Sequence, residues 1–389
     1  WDWTLEKFYH HWFQSDADML GLINELGASD KVIFNRPSTV VYYDGKFYPF
    51  DSPMRWVTFP GFGWSDVVRF GAVGAYFKAL PNGIALEKYT ADAWLRRWLG
   101  ERAYDVVWRP MLVGKFGLDF YKDINLAWLW ARIKSRTMKL GTFEGGFQAF
   151  LDLLAQRVQA QGAALTLNAP IQQVTANPDG TLTVAAPDGP LTVDHVIATT
   201  SPRLLARLAP QLPDAYRGQL LGLKSLGAVV MVITLNRQLT EHYWFNLPKE
   251  AGFPFLALVE HTNFLSREHY GGDHILYCGD YLAPDHEYFQ LSPDALLERF
   301  LPALARFNPA FDRSWVKRHW LWRADYAQPI PLLNHSRNIP AVTTPLNGLW
   351  LASMSQVYPW DRGTNYAVQL GRRVARFAMG TEVEKPLVG

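Results

Sequence analysis

The residues best suited to bind an anionic group lie at the start of a predicted helix near the C-terminus. Gly363, Thr364 and Asn365 follow a short apolar run at 349–352, typical of a buried strand, and a loop of polar and aromatic residues. The N–H groups and dipole of a helix N-terminus favour anions, and glycine there permits close approach. Thr364 or Asp361 is expected to cap this helix. The pattern predicts an anion site, although many strand–helix units only cover a core.

A second candidate for chemistry is the adjacent pair His10 and His11. Neighbouring side chains point apart on a strand or helix, so one ring is expected to pack and the other to face a ligand. Histidine titrates near neutral pH, which makes a role as acid or base plausible. No carboxylate or further histidine sits at ligand spacing, so we expect no metal.

Composition favours a globular protein of two domains. The 389 residues are 49% hydrophobic and 19% charged, and 38 Lys and Arg against 36 Asp and Glu argue against a nucleic-acid partner. The one cysteine, Cys278, fits a reducing compartment and excludes an internal disulfide. No apolar run of about 18 residues appears, so a cytoplasmic location is expected. The 16 Trp indicate an aromatic core, an apolar pocket or peripheral contact with a membrane; the oligomeric state stays open.

The order of predicted elements suggests domains that interleave along the chain. Early elements are a helix at 16–27, a hairpin at 32–50 and helices between 90 and 138, while 51–80 stays unassigned. A double glycine, Gly145-Gly146, precedes a long helix and a set of short strands. The later predictions are strands at 164–167, 171–176, 181–185, 191–193, 196–199, 225–236, 252–261, 274–280 and 315–324, and a helix at 293–306.

Three separated stretches, taken in order, resemble the FAD-dependent amine oxidase superfamily, which includes flavin amine oxidases, protoporphyrinogen oxidases and phytoene-desaturase-like enzymes. The first is 145–202, GGFQAFLDLLAQRVQAQGAALTLNAPIQQV…GPLTVDHVIATTSP; the second is the closing strand and helix, 347–377. The third is 90–130, TADAWLRRWLGERAYDVVWRPMLVGKFG…NLAWLW, which is similar to the family's substrate-domain stretch. NYAVQLGRRVA is closest to protoporphyrinogen-oxidase-like members.

The resemblance implies FAD as the cofactor and assigns residues to it. The N-terminus of the helix at Gly363, Thr364 and Asn365, which we call its mouth, would lie under the flavin ring. Its N–H groups would there stabilise the negative charge of reduced flavin. Ser353 and Met354 stand where relatives commonly carry Gly-Glu or Gly-Asp, and Asp361 could take over the acidic role. Ile171 corresponds to a residue whose backbone holds the adenine in relatives. Thr199 and Thr200 correspond to the strand end near the pyrophosphate or ribose.

The same resemblance assigns residues to the substrate side. Arg323 lies in HWLWRADYAQPIP (319–331), a stretch that lines this side in relatives. Tyr358 precedes the predicted flavin helix and could wall the pocket, although an aromatic residue there also fits a core. His10 and His11 fall where relatives carry a histidine that faces the flavin.

One family motif does not occur in this sequence. Members begin with a strand, a G-x-G-x-x-G turn and a helix, whereas Gly61-Phe-Gly63 lacks the third glycine. We therefore interpret the chain as a member without that N-terminal unit, and expect an α/β fold with a Rossmann-like FAD-binding domain interleaved with an α+β substrate domain. The FAD-binding domain would comprise 141–204 and 345–380, and the substrate domain, with a mixed sheet and a helical block, 14–140 and 205–344.

The predicted function is removal of hydride from a C–C or C–N bond of a bulky, largely apolar small-molecule substrate by an FAD-dependent oxidoreductase. A desaturase-like or protoporphyrinogen-oxidase-like enzyme is favoured over a simple amine oxidase. Two alternatives remain open: a non-catalytic or truncated flavoprotein that serves as a binding scaffold, and a flavin-dependent mutase.

Overall fold

The computed structural model describes residues 1–382 and 384, and these fall into two compact units. The first unit comprises Trp1–Ser15, Asp30–Asp152 and Ser225–Leu333; the second comprises Asp16–Ser29, Leu153–Lys224 and Asn334–Gly389. The units interleave along the chain, but their bounds differ from the predicted domains. Residues 16–29, 205–224 and 334–344 lie in the second unit, whereas 141–152 lie in the first.

A seven-stranded sheet forms the core of the first unit. Its strands, whose ranges are given below, lie in the order β14-β10-β13-β12-β11-β3-β4. The long apolar run on β10 is buried on both faces: Val229, Met231 and Ile233 join one core cluster, and Val230 and Val232 join another. This alternation follows from the two-residue period of a strand. The strands are β3 (Thr39–Tyr43), β4 (Lys46–Pro49), β10 (Ser225–Leu235), β11 (Trp244–Asn246), β12 (Ala257–Glu260), β13 (His274–Leu282) and β14 (Val316–Pro329).

A helical block and a small second sheet complete the first unit. Thr90 caps its helix, because the side chain accepts from the Ala93 N–H at 3.3 Å, and Asn125 caps another by accepting from the Trp128 N–H at 3.0 Å. The 51–80 stretch forms two helices. The helices are α2 (Pro53–Val57), α3 (Trp64–Ala79), α4 (Ala91–Leu99), α5 (Glu101–Ala103), α6 (Arg109–Phe120), α7 (Leu126–Ser135) and α11 (Pro293–Leu304), and the small sheet contains β1 (Trp12–Phe13), β2 (Val32–Asn35) and β5 (Leu140–Phe143).

The second unit carries an antiparallel three-stranded sheet and a parallel strand pair. The antiparallel strands are β6 (Gln173–Ala176), β7 (Leu182–Ala186) and β8 (Gly189–Val193), and the parallel pair is β9 (Val196–Ala198) with β15 (Leu349–Leu351). Its helices are α1 (Ala17–Glu25), α9 (Pro202–Leu208), α10 (Asp214–Gly222) and α12 (Thr364–Ala378), while α8 (Phe147–Ala160) runs across the boundary between the segments of the two units.

The predicted strand at 164–167 is wrong. These residues have no regular secondary structure, and Leu165 and Leu167 are exposed. A strand is stable only when a neighbouring strand takes up its backbone hydrogen bonds. Among the described residues, β9 and β15 pair only with each other, so no third strand of that sheet is present to hold 164–167.

In the described part of the chain, no helix is long and apolar enough to cross a bilayer.

Candidate functional site

The parallel pair β9–β15 sets the geometry of the candidate site in the second unit. Leu349 lies opposite Val196, and Leu351 lies opposite Ala198. The carboxyl ends of parallel strands open at one edge of a sheet, which is where ligands bind in α/β proteins. Gly348 makes this pairing possible, because its φ is +76° and a Cβ there would lie 2.5 Å from the Asp194 carbonyl oxygen.

Two predicted cofactor residues follow β9 at this edge. Thr199 is exposed and Thr200 is half-buried, with its hydroxyl 3.3 Å from the Ser201 carbonyl oxygen. Ser201 caps α9 by accepting from the Leu204 N–H at 3.2 Å. The pairing of the two strands continues one residue beyond β15, since the Ala352 N–H donates to the Ala198 carbonyl at 2.9 Å. The structure thus brings the ends of both strands together.

Ser353 and Met354 follow β15 after one residue, Ala352, and begin a short 3-10 turn. Ser353 is buried, its N–H donates to Gln356 Oε1 at 2.7 Å, and its hydroxyl accepts from the Ser355 N–H at 3.4 Å. Gln356 in turn donates to the Pro340 carbonyl at 3.1 Å. These reciprocal bonds make Ser353 the N-cap of the turn.

Helix α12 begins as predicted, but with a different cap. The N-cap is Gly363, which has no side chain to accept a hydrogen bond, and Thr364 is the first helical residue. The prediction that Thr364 or Asp361 caps the helix is therefore wrong; Asp361 instead lies 3.6 Å from Arg362 in an ion pair. A Cβ at Gly363 would meet nothing within 4 Å, so the helix mouth opens onto free space.

The side chain of Asn365 has a structural role that the sequence did not reveal. Asn365 is buried, and its Oδ1 accepts from the Met19 N–H at 3.0 Å. Met19 is the third residue of α1, where an amide has no acceptor within its own helix. The N-cap of α1, Asp16, makes no side-chain cap bond, so Asn365 caps α1 from α12. Its Oδ1 is therefore committed to α1, whereas its backbone N–H lies in the first turn of α12.

Further contacts anchor α12 to α1. Gln369 Nε2 lies 3.3 Å from the Asp18 carboxylate, and Arg372 Nη2 lies 2.7 Å from Glu25 Oε1. No local sequence pattern links these residues, since the partners are more than 300 positions apart. The helix pair fixes the direction in which the mouth of α12 points.

Aromatic residues surround the loop before α12. Tyr358 is buried and packs edge-on against His335 with ring centroids 5.2 Å apart. Trp360 stacks on Tyr366 at 5.7 Å. These contacts place Tyr358 in the packing of the loop that leads to the mouth. Ile171, predicted to hold adenine through its backbone, is half-buried before β6 and packs on the core of the same unit.

The three other predicted catalytic residues belong to the first unit. His10 is exposed, and its Nδ1 lies 2.6 Å from the Phe8 carbonyl oxygen. The Nδ1 of His11 is buried without a hydrogen-bond partner in the described residues. Burial, reinforced by Arg136, His10 and Arg132, lowers the pKa of His11 to about 3. His11 is therefore neutral at pH 7, and the expectation that it titrates near neutral pH does not hold.

Arg323 lies exposed on β14 and holds the chain before α11. Its Nε donates to the Tyr288 carbonyl at 3.1 Å, and its Nη2 donates to the Leu291 carbonyl. These bonds tie β14 to the 288–291 turn, which gives the guanidinium a positioning role. Within the described residues, no group of three or more His, Cys, Asp or Glu side chains could hold a metal ion.

Comparison with known proteins agrees with this architecture. A family described as flavin containing amine oxidoreductase matches residues 2–378. No curated protein sequence matches the chain.

Solved structures of several enzymes share the fold. A candidate protoporphyrinogen oxidase from Exiguobacterium sp. 255-15 superposes with a TM-score of 0.74 at 14% identity, over 97% of this chain and 88% of that one. Reduced UDP-galactopyranose mutase gives 0.72 at 13% identity, over 98% and 86%. Cyclohexylamine oxidase from Brevibacterium oxydans IH-35A gives 0.68 at 13% identity, over 97% and 88%. The predicted fold class is confirmed, and the chain belongs to the flavin containing amine oxidoreductase family.

Proposed function

We propose that this chain is an FAD-dependent oxidoreductase that removes hydride from a C–C or C–N bond of a bulky, largely apolar substrate. Two observations carry the proposal: the glycine-capped N-terminus of α12, and the paired carboxyl ends of β9 and β15. Both belong to the same compact unit. Family membership supports a flavin as the ligand of this mouth.

The residues of the second unit fit the flavin end of the cofactor. When bound, FAD supplies a hydride acceptor, and its reduced ring carries negative charge. The first-turn amides of Thr364 and Asn365 and the dipole of α12 would stabilise that charge. The free space at Gly363 leaves room for a ring to approach the backbone. Because α12 carries no acidic residue in its first turn, the mouth keeps the positive end of its dipole.

The residues for the other end of FAD are fewer. Thr199 and Thr200 present small hydroxyl side chains after β9, a position that suits a ribose or phosphate. Ile171 offers backbone groups before β6. The G-x-G-x-x-G turn that cradles the pyrophosphate in this family does not occur in the sequence. The residues present therefore account for the flavin and ribose sides of the site.

The substrate side would work by positioning. Hydride transfer to a bound flavin can proceed when the donor carbon is held in place, without a general acid of its own. His11 is neutral at pH 7 and would act only as a hydrogen-bonding group, and Arg323 is committed to two carbonyl groups. The high aromatic content of the chain, 16 Trp, 17 Tyr and 23 Phe, favours a pocket for a large apolar substrate. A desaturase-like or protoporphyrinogen-oxidase-like reaction is consistent with this, as is the fold shared with a candidate protoporphyrinogen oxidase.

A flavin-dependent mutase is the second candidate. The observation in its favour is the fold shared with reduced UDP-galactopyranose mutase at a TM-score of 0.72. A mutase needs reduced flavin and gives a product of unchanged oxidation state. Its chemistry also requires groups that recognise a polar substrate, whereas an oxidase of an apolar substrate does not.

The deciding experiment is anaerobic mixing of the FAD-loaded chain with a panel of hydrophobic amines, polyenes and porphyrinogens. Loss of the visible flavin absorbance, with recovery of a product two hydrogens poorer, is the expected result. A product isomeric with its substrate, formed only with pre-reduced flavin, would establish the mutase instead. If the chain takes up FAD but none of the compounds in the panel reduces the bound flavin, the result would argue for a binding scaffold.

A further inference from the structure

Helix α3 of the first unit presents an apolar face to solvent. At about 100° per residue, one side of this helix covers an arc of roughly 100° that contains no polar side chain. Every residue in the arc is exposed, Trp64 by 76% and Val68 by 67%. We call this set the α3 face; it consists of Trp64, Val68, Gly71, Ala72, Ala75 and Ala79.

The opposite side of α3 is already used by the core. Val73 and Phe77 are buried there together with Asp66, whose carboxylate accepts from the Gly63 N–H at 2.9 Å. A surface helix of a water-soluble domain normally directs polar residues outward. Helix α3 instead buries one apolar stripe and exposes another, so its outer stripe is suited to a non-aqueous contact.

The short helix α2 extends the exposed apolar surface. Met54 is 72% exposed and Val57 is 43% exposed. The other side of α2 packs on α3 through Trp56 and Phe70, whose ring centroids lie 4.9 Å apart. The apolar side chains of α2 and the α3 face therefore belong to one pair of packed helices.

The exposed charges carried by α2 and α3 themselves have one sign. The exposed charged residues of α2 and α3 are Arg55, Arg69 and Lys78, and the only carboxylate of the two helices, Asp66, is buried. On the helical wheel, Arg69 and Lys78 flank the α3 face on opposite sides. The ammonium of Lys78 donates to the carbonyl oxygens of Arg136 at 2.8 Å and Lys134 at 3.0 Å, which keeps it at the edge of the face.

We propose that the α3 face, together with Met54 and Val57, is a peripheral docking surface for a bilayer that contains anionic lipid. A helix of this kind lies in the plane of the interface, with its apolar side in the acyl region and its cations at the headgroups. Tryptophan and tyrosine prefer that interface, and Trp64 and Tyr76 stand near the two ends of α3. The positive charge of Arg55, Arg69 and Lys78 favours anionic lipid over an apolar protein groove.

This inference does not depend on the identity of the cofactor. It does add a source for the proposed substrate, since a bulky apolar molecule would reside in the bilayer on which the protein docks. Vesicle binding and flavin chemistry are measured separately, so a failure of one leaves the other in place.

The test is flotation of the purified chain with vesicles of phosphatidylcholine alone and of phosphatidylcholine mixed with phosphatidylglycerol. We expect binding to the mixed vesicles that weakens as salt is raised. Trp64→Gln/Val68→Gln should weaken this binding by about tenfold or more. Arg55→Gln/Arg69→Gln should weaken it by roughly fivefold for each cation at low salt and leave binding at high salt unchanged.

The matched control is Leu167→Gln/Leu191→Gln, which removes two exposed apolar side chains from the second unit. This control should bind vesicles as the wild-type chain does, and circular dichroism should show that all variants are folded. Three results would overturn the proposal: no binding of the wild-type chain to either vesicle, equal loss in the control, or self-association that Trp64→Gln/Val68→Gln abolishes while vesicle binding is absent. The last would assign the surface to a second copy of the chain.

Discussion

Replacement of Asn365 by alanine tests how the helix mouth is built. Asn365 Oδ1 is the hydrogen-bond acceptor for the Met19 N–H, at 3.0 Å, and both residues are buried. Alanine would remove this acceptor. The Met19 amide would then be buried without a partner at the start of α1.

The expected cost follows from this geometry. A buried amide left without its acceptor costs about 1–3 kcal/mol. If this energy is lost from the local stability of α1, the Met19 amide should exchange with solvent about 5 to 150 times faster. The control is Gln369→Ala on the same helix, because Gln369 is exposed and its 3.3 Å contact reaches Asp18, which is half-buried. We expect the control to change stability by less than about 0.5 kcal/mol.

The assay is hydrogen–deuterium exchange with residue-level fragmentation across α1. Met19 should lose protection in Asn365→Ala and keep it in Gln369→Ala. Asn365→Asp retains an acceptor oxygen, so it should restore most of the protection. Equal exchange of Met19 in the wild-type chain and Asn365→Ala would refute the assignment of Asn365 as the cap of α1.

Three further predictions concern stability. Gly348→Ala should destabilise the second unit by about 2–4 kcal/mol in urea unfolding, because φ is +76° and the new Cβ would lie 2.5 Å from the Asp194 carbonyl oxygen; Gly363→Ala, at an extended and open position, should change it little. Burial raises the pKa of Glu260 to about 7, so the folded chain binds this proton more tightly than the unfolded chain does. The free energy of unfolding should therefore fall by roughly 3 kcal/mol as the pH rises from 4.5 to 7. A Glu260→Gln variant that retains this fall would contradict the assignment. Thr90→Ala should cost about 1 kcal/mol in thermal unfolding through loss of the cap of α4, and an unchanged midpoint would exclude that role.

Sequence patterns predicted those elements whose hydrophobic periodicity is strong. The apolar run before the C-terminal loop forms β15, and the helical spacing after Gly363 forms α12. The predicted 225–236 strand is β10, whose residues are buried on both faces. In each case, hydrophobic periodicity matched an environment that the rest of the chain supplies.

The errors arose where a distant partner decides the outcome. The 164–167 segment has the composition of a strand but no neighbour to pair with among the described residues. The predicted substrate domain included segment 16–29, and in the structure α1 of this segment contacts α12 through Glu25 and Arg372. The bond between Asn365 and Met19 spans 346 positions and leaves no trace in local spacing.

The candidate site was predicted from the resemblance to the amine oxidase superfamily. In the structure, the ends of β9 and β15 pair side by side and α12 begins after Gly363, all within the second unit. The sequence predicted that one of the two adjacent histidines would pack, but it did not identify His11 or its low pKa, which depends on burial and on Arg136, His10 and Arg132. The roles of Thr199, Thr200, Ile171 and Asp361 toward the cofactor stay predictions.

Paired titration of FAD into Gly363→Glu and Gly371→Glu tests the central claim most directly. Both glycines lie at positions where an added side chain meets nothing within 4 Å, but only Gly363 is at the mouth of α12. A carboxylate at the mouth would repel reduced flavin, whereas one at Gly371 lies two turns along the helix. We predict that Gly363→Glu weakens the binding of reduced FAD by about tenfold or more and that Gly371→Glu binds it as the wild-type chain does. Equal affinity of the two variants, or no FAD bound by the wild-type chain, would contradict the assignment of this mouth as the flavin site.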